Sequence, residues 1–164
     1  FKEIYFNNFE NYYFTGDAAK KDKDGFFRII GRVDDVINSS GHRLGTAEIE
    51  DAINKSKLIV ESAVISFPHK IKGQGICAFV IPNKETNADH EEIKFETINQ
   101  TVNNIGKIAR PDKVIIVSDL PKTRSGKIMR RILKQIIAGK ANELGDTTTL
   151  VNPQIIEEII KKAI

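Results

Sequence analysis

The sequence has no tryptophan, one methionine and one cysteine. A single thiol, Cys77, excludes an intrachain disulfide and a cysteine-built metal cluster. It fits a reducing compartment without establishing one. No apolar run approaches the ~18 residues that would span a bilayer, so no membrane partner is expected. His42, His69 and His90 lack metal-ligand spacing, so no metal ligand is expected among the residues present. Neither charge sign dominates: 25 Lys and Arg against 22 Asp and Glu leave +3, an excess that by itself does not imply nucleic acid. No internal repeat or low-complexity tract is evident.

What is present reads as a globular domain, 40% hydrophobic and 29% charged. The 164 residues suffice for one domain plus a flanking piece. The chain begins at Phe1 rather than Met, and its first fifteen residues carry seven aromatics without a period. The working expectation is therefore a piece of a longer protein. Charge is unevenly spread. From Lys107 to Lys140, ten basic residues face Asp112 and Asp119, a local +8. From Glu85 to Glu96, five acids face Lys94, a local −4. The basic segment needs a reason.

Asp24-Gly25 is a turn signal, and FFRIIG after it has strand composition. Val36–Asn38, Ser39–Gly41 and His42–Leu44 read as a hairpin with a short polar tip. Thr46 is a candidate cap for a helix to Lys55 with Ile49, Ala52 and Ile53 on one face. Ser62–Phe67 alternates up to Pro68, and Ile76–Ile81 is a continuous apolar run ended by Pro82; both read as strands. Cys77 within that run reads as a core thiol. A helix near His90 shows Ile98, Val102 and Ile105 at helical spacing and stops at Gly106. Val114–Val117 is another buried strand. A helix follows with Ile128, Ile132, Ile136 and Ala138, stopping at Gly139. Asn152 and Pro153 open a last helix through Ile155, Ile159 and Ile160. The class is α+β: a small mixed sheet of about three strands, flanked by helices and preceded by a β-hairpin.

Three stretches carry candidate chemistry. In PKTRSGK, residues 121–127, Gly126 permits a tight turn and Lys127 falls at the expected helix start, where a cation opposes the helix dipole. The loop either presents an ammonium to a phosphate or carboxylate, or is simply a solvated basic loop. It is not a Walker loop, because Pro121 and Ile128 occupy the positions that need Gly and Ser or Thr. Thr15-Gly16-Asp17 alone reads as a turn, though a carboxylate there can accept from sugar hydroxyls. In GRVDDVINSSGHRLG, Arg32 and Arg43 can meet phosphate or ribose oxygens, and Asp34-Asp35 can serve as a pivot. The bland alternative is an ordinary hairpin with surface charges. KTRSGKIMRRILK lacks interleaved aromatics, so nucleic acid is not the expected partner.

Together, YYFTGD, GRVDDVINSSGHRLGTAEIE, PKTRSGKIMRRIL and LGDTTTLVNP resemble the C-terminal part of the adenylate-forming superfamily of acyl-CoA synthetases, luciferases and peptide-synthetase adenylation domains. GHRLGTAEIE, KTRSGKIMRR and LGDTTTL narrow the resemblance to its AMP-forming, acetate or short-chain branch, the acetyl-CoA synthetases. It covers the chain from Tyr12 onward. The resemblance implies an enzyme, an acetate–CoA ligase acting in two half-reactions. ATP and a carboxylate give acyl-AMP and pyrophosphate; the thiol of coenzyme A then gives acyl-CoA and AMP. It also implies that residues 1–33 end a large N-terminal domain. Residues 34–164 would then form a mobile lid with its hinge at Asp34.

By the same resemblance, Asp17 and Arg32 bind the ribose, and Arg43 lies near the nucleotide phosphate. Gly41 lines the pantetheine tunnel of coenzyme A, and Lys127 is the adenylation lysine. Mg accompanies ATP, with ligands outside this chain. Lys127 is also implied as the target of a lysine acetyltransferase and a deacetylase. Lys122, in the same loop, matches no catalytic position, and its acetylation is expected to matter much less. The resemblance departs at Val102-Asn103-Asn104, where relatives carry a basic residue toward the coenzyme A nucleotide. Lys107 and Arg110 are the nearest substitutes. The chain by itself is expected to be inactive, and the expected compartment is the cytoplasm, with the nucleus second. The competing expectation is a free-standing anion- or RNA-binding α+β module without catalysis.

Overall fold

The computed structural model describes residues 2–7, 9 and 11–163. Phe1, Asn8 and Glu10 of the aromatic opening lie outside the described residues, as does Ile164. After a short helix α1 (Lys2–Tyr5), strands β1 (Asp17–Lys21) and β2 (Phe27–Arg32) form an antiparallel hairpin. Its turn closes because Asp22 Oδ1 accepts the amides of Asp24 and Phe26, both at 2.9 Å. A 3-10 turn, Val33–Asp35, leads to a second hairpin, β3 (Val36–Ser39) and β4 (His42–Gly45).

Then come α2 (Thr46–Ile53), β5 (Ile59–His69), β6 (Gly73–Pro82) and α3 (His90–Asn104). The chain ends with β7 (Lys113–Ile116), α4 (Arg130–Ile137) and α5 (Ile155–Ala163). β6 pairs antiparallel with β5 on one side and parallel with β7 on the other. A parallel neighbour needs a crossover, and α3 supplies it. These three strands are the expected small mixed sheet. The β3–β4 hairpin joins it through one bridge, Ser39 to Gly73, making five strands.

The apolar run in β6 is continuous because both faces of the sheet are covered. Cys77 and Phe79 point with Ala63 and Ile65 toward Ile132, Leu133 and Ile136 of α4 and Ile159 of α5. Ile76, Ala78 and Val80 point with Val64 toward Ile49 and Ile53 of α2 and Ile93 of α3. Cys77 is fully buried, and that burial pushes its thiol up to about 12, which leaves it an unreactive core group.

Several local readings are corrected. Thr46 is the first residue of α2 and buried; the cap position is Gly45, with no side-chain bond. Pro68 does not end β5, which runs to His69: β5 lies at the sheet edge, where a missing N–H costs no ladder bond. Pro82 is likewise the last residue of β6 rather than the stop before it. α3 buries Ile93, Thr97 and Thr101, while Ile98, Val102 and Ile105 are half-buried. Each threonine bonds back into its own helix, Thr97 to the Ile93 carbonyl at 2.7 Å and Thr101 to that of Ile98 at 2.8 Å. That satisfies the hydroxyls and lets these residues serve as core. α5 starts at Ile155, because the Asn152 side chain is spent on Asp119 and the Leu120 carbonyl. No helix among the described residues is long and apolar enough to cross a membrane.

Candidate functional site

Arg32 brings three candidates together. Its Nε donates to Asp34 Oδ1 at 3.0 Å, its Nη1 donates to the Thr15 carbonyl at 3.1 Å, and the same Nη1 lies 3.6 Å from Asp17 Oδ1. The guanidinium lies against Gly16, where a Cβ would come within 2.8 Å of Nη2. Gly16 also has φ 76°, so both the turn and the close approach call for glycine. The bond from Arg32 holds the Asp34 carboxyl below its ordinary value, and Asp34 in turn raises Arg32. Asp17 and Arg32 keep 41% and 51% of their side chains exposed, so both can still meet a polyol or phosphate. The TGD turn and GRVDD thus form one polar cluster at the junction of the two hairpins.

The second element is the β3–β4 tip. Ser40 has φ 50° and Gly41 φ 82°, the left-handed pair that a two-residue hairpin turn requires. Ser40 pays for this without being glycine, and the neighbouring hairpin props it. The Ser40 amide donates to the Lys72 carbonyl at 2.9 Å, and Asn38 N donates to Gln74 Oε1 at 2.7 Å. Gly41 and Arg43 are exposed, with Arg43 facing Asn38 across the hairpin.

The third element is the Lys127 loop. Thr123 N donates to the Lys127 carbonyl at 2.9 Å, and Gly126 N, at φ 79°, donates to the Thr123 carbonyl at 2.9 Å. Thr123 Oγ1 accepts the Lys127 amide at 3.1 Å. Lys122 bridges Ile128, so the loop is a miniature hairpin with glycine in the bulge. The expectation that Lys127 begins a helix is corrected: α4 starts three residues later, at Arg130, and the dipole argument lapses. Lys127 is exposed, and among the described residues no acceptor or carboxylate engages its Nζ.

Lys122, in the same loop, is engaged where Lys127 is not. Its Nζ pairs with Glu61 at 2.5 Å and Asp119 at 3.7 Å.

Among the described residues no hydrogen bond or ion pair joins Lys127, the Arg32 cluster and the hairpin tip to one another. The link is indirect. Ile128, Met129 and Arg130, just after the loop, line a pocket with Asp34 and Asp35.

Much of the basic segment is engaged within the fold. Arg130 pairs with Glu50, Lys134 with Asp35, and Lys140 with Glu143. Arg131 donates to the carbonyls of Leu144 and Asp146. Lys113 lies 5.2 Å from the centre of the Phe67 ring.

At the neutral spot 102–104 the structure places a cation that spacing did not reveal. Lys55, at the end of α2, donates to Asn104 Oδ1 at 2.7 Å and lines a pocket with Lys20 and Arg28 of the first hairpin. Lys55 and Asn104 are 49 residues apart, so only the packing of α2 on α3 reveals the pair. Among the described residues no group of three His, Cys, Asp or Glu could hold a metal ion.

Residues 48–127 match the AMP-binding enzyme C-terminal domain family. The chain belongs to that family. It is 53% identical over 98% of its length to a protein of Syntrophobacter fumaroxidans named acetyl-coenzyme A synthetase. It is 51% identical, also over 98%, to the human protein named acetyl-coenzyme A synthetase 2-like, mitochondrial. The chain spans 25% and 23% of those two relatives. Among solved structures, ATP-bound MatB from Rhodopseudomonas palustris aligns with TM-score 0.69 at 31% identity, over 82% of this chain and 26% of MatB. An ATP-bound RpMatB-BxBclM chimera aligns at 0.72 and 33%, over 82% of this chain and 26% of the chimera. This AMP-binding enzyme C-terminal domain therefore keeps the α+β fold of adenylate-forming enzymes.

Proposed function

We propose that the chain is the C-terminal lid, with its junction, of an AMP-forming acetate–CoA ligase. The supporting observation is the identity of 53% over 98% of this chain with a protein named acetyl-coenzyme A synthetase. In the first half-reaction an acetate oxygen attacks the α-phosphorus of ATP, and the bond to pyrophosphate breaks. In the second, the thiol sulfur of coenzyme A bonds to the acyl carbon, AMP leaves, and the thiol proton passes to solvent.

In this reading the Asp17 carboxylate accepts from the ribose hydroxyls and Arg32 donates to the same sugar. The fit rests on two half-exposed groups held by Thr15 and Asp34. The Lys127 ammonium sits between carboxylate and phosphate as negative charge gathers there, and a preorganised cation lowers that barrier. Among the described residues no partner engages it, so it gives up no protein bond on entering the site. Gly41, with no Cβ, lets the hairpin tip approach the pantetheine arm. Arg43 reaches the nucleotide phosphate. Lys55, with Lys20 and Arg28, supplies the cations that residues 102–104 lack for the coenzyme A nucleotide. Asp34 is the hinge dividing residues 1–33, the end of the large domain, from the lid at 34–164. Mg accompanies ATP and is assigned no ligand here. Acetylation of Lys127 by an acetyltransferase would remove the adenylation charge until a deacetylase restored it.

The test is acetate-dependent ATP–pyrophosphate exchange by the full-length protein, run against a panel of carboxylic acids. Exchange strongest with acetate supports the reading; no exchange with any acid contradicts it. This chain alone should give none. Internal pairing of Lys122, Arg130, Arg131 and Lys134 argues against the RNA-binding alternative.

A further inference from the structure

Two lysines flank one loop and are treated in opposite ways. Lys127 is exposed, and among the described residues no acceptor engages its ammonium. Lys122 is only 27% exposed, and its ammonium reaches Glu61 of β5 at 2.5 Å and Asp119 at 3.7 Å. Its carbonyl accepts the Val151 amide at 3.0 Å, and its backbone bridges Ile128. Next to it, Thr123 bridges Leu150. The root of the loop is therefore tied to the sheet edge through Glu61 and to residues 150–151 through the backbone. The Glu61 carboxylate raises the Lys122 ammonium above its ordinary value, so Lys122 stays charged through neutral pH.

Ion pairs of this exposure add little to global stability. The pair's effect is local: it fixes where a miniature hairpin leaves the domain. Everything beyond the root is held by bonds within the loop, from Thr123 to Gly126 and Lys127. A small shift at the root therefore moves the loop as a unit, and Lys127 with it.

We propose that Lys122 is a positioning residue for adenylation: paired with Glu61, it anchors the loop root so that Lys127 enters the large domain in register. This rests on the acetate–CoA ligase reading above. Lys122 acts through Glu61 and touches no reacting atom. A misplacement of about 1 Å can cost on the order of a hundredfold in rate, so a modest loosening is readable.

The test uses the full-length protein with Lys122→Met, Glu61→Gln, the double variant and Lys122→Arg. Two activities are measured separately: acetate-dependent ATP–pyrophosphate exchange, and acetyl-CoA formation from supplied acetyl-AMP. Each single loss should slow exchange by about tenfold or more. The double variant should be no slower than the singles, because both break the same pair. Lys122→Arg should restore most of the rate, since Glu61 meets a single charged nitrogen. Acetyl-CoA formation from acetyl-AMP should be unchanged.

A slow Lys122→Met beside a normal Glu61→Gln would overturn the proposal, because the lysine would then act directly on the nucleotide. A parallel fall in both activities, with a lower melting temperature, would overturn it as a general structural defect. Normal exchange in both singles would also overturn it. A wild-type protein with no exchange would fail the ligase reading instead. Amide hydrogen exchange then decides the anchoring separately. The Gly126 and Lys127 amides should lose protection in Lys122→Met while those of β6 keep it, and unchanged loop protection would overturn the anchor.

Discussion

Arg130 Nη2 donates to both carboxylate oxygens of Glu50, at 2.8 and 2.7 Å. Glu50 also accepts the Val64 amide at 2.7 Å, which caps an outward-facing N–H of the edge strand β5. α2 follows the hairpin that carries Gly41, and α4 follows the loop that carries Lys127. The pair therefore ties α2 to the start of α4. Burial pushes the Glu50 carboxyl up, and the bonds from Arg130 and Val64 pull against it. Glu50 and Arg130 are 12% and 24% exposed, so losing either strands a largely buried charge. Arg130→Met should cost about 2 kcal/mol in a denaturant titration of this chain. Combining it with Glu50→Leu should cost less than the sum of the singles. A neutral Arg130→Met would show that the pair holds nothing.

The prop under the β3–β4 tip makes a second prediction. Gln74→Leu removes the acceptor of the Asn38 amide while keeping most of the side-chain volume. In the full-length enzyme it should slow acetyl-CoA formation from acetyl-AMP several-fold, about three to ten times, through a higher KM for coenzyme A. Acetate-dependent pyrophosphate exchange should stay at the wild-type rate. Equal losses in both would mean that Gln74 supports the whole domain and not the tip.

Asp112 makes the pH prediction. Burial alone would raise its carboxyl, but Lys72 and the Ile76 amide, at 2.9 Å, hold it below the ordinary 3.8. A carboxyl with a depressed folded value adds stability above its unfolded value and loses it as pH falls through the folded one. Asp112→Asn should therefore be less stable than wild type near neutral pH, and the gap should close in acid as pH falls through the depressed folded value. A gap that persists undiminished in acid would show that packing, not charge, sets the effect. Because Lys72 also offers its carbonyl to Ser40, the same variant reports on the hairpin tip.

Much of this was legible in the chain. The run Ile76–Ile81 reads as a buried strand, and the hairpin around Ser39–Gly41 is legible, though Ser39 belongs to β3 and leaves Ser40-Gly41 as the turn. Asp17 and Arg32 were legible as candidates but not as neighbours, since their contact depends on the register of β1 and β2. Two threonines hid the core face of α3, because a hydroxyl bonded to its own helix counts as polar in a sequence and as apolar in a fold. The start of α4 was misplaced because Ile128 and Met129 continue its apolar pattern while their backbone still belongs to the loop. The partners of Lys122 were not legible, because Glu61 is 61 residues away and Val151 lies beyond a whole helix.

The central claim is that Lys127 serves one half-reaction only, and Lys127→Ala in the full-length enzyme tests it most directly. The side chain is exposed and, among the described residues, touches no acceptor, so the melting temperature should not move. Acetate-dependent pyrophosphate exchange should fall by about a hundredfold or more, as loss of a preorganised charge does. Acetyl-CoA formation from supplied acetyl-AMP should stay near the wild-type rate. A comparable fall in both half-reactions, or exchange that survives the substitution, would contradict the account.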